Sequence, residues 1–140
     1  HESILNFSDE LEVEAHLWDI WVEMARENLP LPLGGMAILR SIPLLRAIEC
    51  QKLLTDAVRV AVNNKRVLSA MLRDRVRVNE SELETYLNMY ANSESIAMSE
   101  VQMKALDKLF ALGFNAGIYG DLIRTEDYLV PSEYEKLRFG

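Results

Sequence analysis

The sequence predicts an all-α fold, a single compact helical bundle of about five helices over residues 1–140. Three observations lead there. Apolar residues recur at three- and four-residue spacing along most of the chain. Asn79 with Glu82, Ser99 with Gln102 and Ser132 with Glu135 have the spacing of helix-starting capping boxes. Strict alternation of the kind a strand needs is scarce, and Val76-Arg77-Val78 comes nearest to it. A chain of 140 residues, 49% of them hydrophobic, can bury roughly two thirds of its unfolded surface without a metal or disulfide staple.

The first helix is expected over residues 9–28. Ser8 is a good N-cap, and Asp9, Glu10 and Glu12 then complement the positive end of the helix dipole. Leu11, Ala15, Trp18, Val22 and Ala25 repeat at helical spacing, and Leu17, Trp21 and Met24 widen the stripe. Pro30, Pro32 and Gly34-Gly35 then end the helix and mark a connector. Pro43 suits a first helical turn, where a missing amide costs nothing. From Leu44 a helical pattern runs towards Arg75, with Asn63-Asn64 as its point of interruption. Two helices follow, opened by Asn79 and Ser99, and Ser132 opens a short C-terminal turn. Cys50, the one cysteine, sits among apolar residues and is expected to be a small buried hydrophobe.

The inventory narrows the function. No uncharged run approaches the roughly 18–20 residues of a membrane span. No charged-then-apolar leader follows His1, so a cytoplasmic, reducing setting is expected, which the single cysteine suits. Of the two histidines, His16 could share a helix face with Glu12, Asp19 and Glu23, but no second internal histidine completes a di-metal set. GFNAGIYG is glycine-rich yet lacks the Lys-Ser/Thr ending of a phosphate loop. No nucleophile elbow is present. The expectation is therefore a protein that is not an enzyme and carries no cofactor and no metal.

Charge falls in three blocks. Residues 1–28 hold eight acids and one base, residues 29–78 nine bases and three acids, and residues 79–140 eleven acids and five bases. One account is internal, with acidic helices neutralising the basic one through exposed pairs worth about 0–1 kcal/mol each. The other leaves part of the basic belt free for a partner, with Arg66, Arg73, Arg75 and Arg77 in its densest portion. Nucleic acid is the weaker target. The net charge of −7 repels it, and a helix opening Glu100-Val101-Gln102-Met103-Lys104 offers little to base edges.

Gly113, Ala116, Gly117 and Gly120 fall at three- to four-residue spacing, flanked by Phe110, Phe114, Ile118 and Tyr119. Either Gly113 caps a helix in the left-handed conformation, or the helix continues and the small residues admit another backbone. The second is favoured. The expected function is a protein–protein interaction domain: an adaptor, a secretion-type chaperone or an inhibitor of a larger protein. Its partner-binding surface would join Arg66, Arg73, Arg75 and Arg77 to Gly113, Phe114, Gly117 and Tyr119, since Arg and aromatic residues anchor interfaces. Self-association into a homodimer is left open. The alternative is a nucleic-acid-binding transcriptional regulator using the same belt.

Overall fold

The computed structural model describes residues 10–73, 75 and 79–131, and among them there are five α-helices and no strand. The fold is all-helical, as the periodicity predicts. The helices are α1 (Leu17–Ala25), α2 (Leu44–Asn63), α3 (Lys65–Leu72), α4 (Glu80–Tyr90) and α5 (Glu100–Asn115), with 3-10 turns at Ser93–Ser95 and Thr125–Tyr128. The chain divides into two compact units. Of the described residues, one comprises those within 10–14 and 54–97, the other those within 15–53 and 98–131.

In the second unit, Trp21, Ala25, Leu29 and Ala105 form the buried centre, with Val22, Leu31, Leu109 and Leu112 packed against it. Ala25 and Ala105 are fully buried, and with no bulk beyond Cβ they let α1 and α5 meet closely. The helix α1 stops where the core needs the chain to turn. Arg26 takes the left-handed conformation at φ 54°, its N–H donating to the Val22 carbonyl at 2.9 Å. Pro30 then holds Leu29 out of the helical region. The Leu29 carbonyl turns inward and accepts a 2.8 Å hydrogen bond from the buried Trp21 indole N–H. One contact thus satisfies two polar groups that would each cost about 1–3 kcal/mol if buried alone.

The start of α1 corrects the expectation. The helix begins at Leu17, with His16 in an extended conformation at its N-cap, where its carbonyl accepts from the Ile20 N–H at 3.3 Å, and residues 11–15 lie outside the helix. Leu11, Val13 and Ala15 alternate with Glu12, Glu14 and His16. That period of two suits extended backbone as well as the wider spacing suits a helix. Ser8 lies outside the described residues.

Further along, α2 and α3 are separate pieces, broken where Asn63-Asn64 suggested. Asn64 Nδ2 donates to the Val60 carbonyl at 2.7 Å, while the Asn64 N–H goes to Ala61. The side chain takes the acceptor that the next helical N–H would use, and the backbone leaves the helix. In the first unit, Leu83 and Leu87 are buried one turn apart on α4, and Lys65 Nζ on α3 reaches Asn88 Oδ1 on α4 at 2.5 Å. The Tyr86 and Tyr90 rings lie 5.0 Å apart along α4.

Two of the expected helix starts are placed well. Asn79 is the N-cap of α4, though its side chain makes no capping bond. Ser99 caps α5, its hydroxyl accepting from the Gln102 N–H at 3.3 Å. The third, at Ser132, lies outside the described residues. An unforeseen start sits at Asn92, where Oδ1 accepts from the Glu94 N–H at 3.0 Å and the Asn92 N–H donates to Ser95 Oγ.

The helix α5 continues through Gly113 and ends in a Schellman turn. Gly117 takes φ +73°, the Ile118 N–H donates to the Gly113 carbonyl at 2.8 Å, and the Gly117 N–H donates to Phe114 at 2.9 Å. The left-handed cap is therefore Gly117. Gly113 is small for another reason: the Tyr119 ring folds back over it. A Cβ there would lie 2.7 Å from Tyr119 Cδ2 and closer still to Cε2. The ring in turn meets Phe110 edge-on at 6.1 Å. Gly113→Ala is expected to destabilise by about 1–3 kcal/mol through overpacking, exceeding the ~1 kcal/mol gained in helix propensity. In a Tyr119→Ala background the same substitution should stabilise. Urea unfolding of the four proteins checks this, and an equal effect in both backgrounds contradicts the packing.

Candidate functional site

On α3, Arg66, Val67 and Met71 are all exposed, with Arg73 at the helix end and Arg75 in the turn beyond it. Lys65, Leu68, Ser69 and Leu72 occupy the other, half-buried side of this helix. The outward side of α3 is thus an apolar pair, one turn apart, rimmed by guanidinium groups. Arg77 lies outside the described residues.

Parts of the basic belt are already engaged, and the partners are local. Arg59 pairs with Asp56, and Arg46 with Glu49 at 2.7 Å, each along α2 at a separation of three. Counting charge by block does not reveal such pairs. The acid of the first block that is engaged among the described residues, Glu27, bonds Lys104 Nζ at 2.5 Å, with Lys108 at 3.8 Å, both on α5.

The expected aromatic-flanked stripe falls in the α1–α5 unit, whereas the arginines fall in the α3–α4 unit. Gly113 is buried beneath Tyr119, which is itself half-buried, while Gly117 and Phe114 are exposed. Cys50 on α2 is a free, exposed thiol. That overturns its expected burial: on α2, only Ala47 and Ile48 are buried, and position 50 falls off their side. His16 and Glu12 do not share a helix face, because the helix begins after both. Among the described residues, no group of three or more His, Cys, Asp or Glu is arranged to hold a metal. No helix among them is long and apolar enough to cross a membrane.

A cavity of about 290 Å³ lies beside α5, lined by Asp107, Ala111, Leu122, Ile123, Arg124 and Glu126. Asp107 is committed structurally, since its Oδ1 accepts from the Thr125 N–H at 2.7 Å and ties the 3-10 turn to α5. Arg40 completes the tie from the other side. Its guanidinium sits 4.3 Å above the Tyr128 ring and donates to the Asp127 carbonyl at 3.4 Å.

What the described side chains bring together, then, is exposed apolar surface edged by charge, on a helical scaffold. The chain belongs to the menaquinone biosynthesis family, whose family model matches residues 1–115. The match takes in α1 to α5 and stops at the end of α5. No curated protein and no solved structure shows significant similarity to it. Sequence reasoning did not foresee this membership, because none of the motifs it weighed points to quinone synthesis.

The Glu27 contact yields a pH prediction. The hydrogen bond from Lys104 and its charge, helped by Lys108, hold the Glu27 carboxyl below its ordinary 4.5. A lowered folded value stabilises the ionised form. The contribution is therefore complete above about pH 4.5 and fades as pH falls through the depressed value. Urea midpoints of the native chain and Glu27→Gln should differ at neutral pH and converge in acid. A difference that widens on acidification contradicts the assignment.

Proposed function

We propose that this chain serves menaquinone biosynthesis, and that its described surface acts there by contact with another protein. The family match over residues 1–115 carries the first part. The arginine-rimmed apolar side of α3 supports the second. Val67 and Met71 are exposed side by side, and leaving them in water forfeits on the order of 1.5–3 kcal/mol per side chain that burial would return. Arginine beside apolar residues is also what anchored interfaces use.

In the organism that encodes the chain, removing it should lower menaquinone content, read by mass spectrometry of extracted quinones. Returning the native chain should restore it. The triple variant Arg66→Glu, Arg73→Glu, Arg75→Glu should keep its helical circular dichroism and fail to restore it. Unchanged menaquinone on loss of the chain contradicts the pathway assignment. Full restoration by the triple variant contradicts the contact role of α3.

A further inference from the structure

The cavity beside α5 lies wholly within the α1–α5 unit. Asp107 and Ala111 stand one helical turn apart on α5, and Leu122, Ile123, Arg124 and Glu126 come from the segment that packs back on that helix. Two ties hold this segment. Thr125 is buried between Arg124 and Glu126, and its N–H donates to Asp107 Oδ1 at 2.7 Å. Beyond it, the Tyr128 ring sits against the Arg40 guanidinium. The walls are thus set before anything enters, which lowers the cost of binding.

The lining is of two kinds. Ala111, Leu122 and Ile123 give aliphatic surface, while Arg124 gives a positive charge and Asp107 and Glu126 give negative ones. These opposite charges border one space, yet Arg124 forms no ion pair with either carboxylate or with any other group among the described residues. A ligand with a single charge would answer only one of the two signs. A ligand carrying both charges and an aliphatic group answers the whole lining. The volume of about 290 Å³ sits at the small end of ligand cavities, which run to about 300–1,000 Å³, and suits a molecule the size of one amino acid.

We propose that this cavity binds a small aliphatic zwitterion of the α-amino-acid class. Its carboxylate meets the Arg124 guanidinium, whose planar fork matches a carboxylate. Its ammonium lies between Asp107 and Glu126, and its side chain rests on Ala111, Leu122 and Ile123. Asp107 serves both fold and ligand, because a carboxylate has two accepting oxygens and the Thr125 N–H occupies one.

L-Leucine is the probe, titrated into the isotope-labelled chain while the amide resonances of Ala111, Ile123 and Arg124 are followed by NMR. Those resonances should shift saturably at millimolar leucine. Isocaproate, which lacks the ammonium, and isoamylamine, which lacks the carboxylate, should each bind at least about tenfold more weakly. Arg124→Gln should bind leucine no more tightly than isoamylamine. Asp107→Asn with Glu126→Gln, in which the asparagine keeps an oxygen for the Thr125 N–H, should bind leucine no more tightly than isocaproate. No saturable shift in the native chain overturns the proposal, as does either analogue binding as tightly as leucine. Unchanged leucine affinity in the charge variants overturns it too. The comparison of the three ligands on the native chain stands whether or not those variants fold.

Discussion

The Trp21 indole and the Leu29 carbonyl form the contact on which the α1–α5 unit depends. Both groups are buried, both are polar, and each is the other's partner. The bond fixes the turn after α1, with Arg26 in the left-handed conformation and Pro30 holding the chain extended. It also fixes the rotation of α1 about its own axis. With Trp21 and Ala25 turned towards Ala105 and Val22 packed beside them, Leu17, Ile20 and Met24 of that short helix are left exposed.

That geometric consequence links the fold to the surface. A nine-residue helix carrying seven apolar side chains cannot bury them all against one neighbour. The same holds on α3, where the half-buried side takes Leu68 and Leu72 and leaves Val67 and Met71 outside. Solvated apolar groups of this kind, edged by charge, are the raw material of specific contacts: the apolar part supplies affinity and the rim supplies selectivity. The family membership gives these contacts a setting, the making of menaquinone, without assigning a role to any one residue.

Much of the helical plan was legible before any coordinates. Helix starts at Asn79 and Ser99 and the break at Asn64 follow from side chains that compete locally for backbone hydrogen bonds, and such competition is readable over a few residues. The start of α1 was not, because Leu11 and Ala15 fit an extended alternation and a helical stripe equally well. Gly117 as the cap and Gly113 as the seat of a tyrosine ring were not separable by spacing alone; the distinction depends on Tyr119 folding back after the turn. Of the candidate surface, the arginine-rich segment was visible as a charge block. Its local pairing through Asp56 was not, nor was the exposed side of α1, since periodicity gives the width of an apolar stripe but not how much of it a neighbour covers.

Proton exchange at the two indole nitrogens tests the central contact most directly. Trp21 and Trp18 lie three residues apart on one helix, yet Trp21 is buried and bonded while Trp18 is 44% exposed. By NMR in deuterated water, the Trp21 indole proton should persist and report the opening of the unit, while that of Trp18 is lost quickly. Two indole protons lost at the same fast rate would contradict the account.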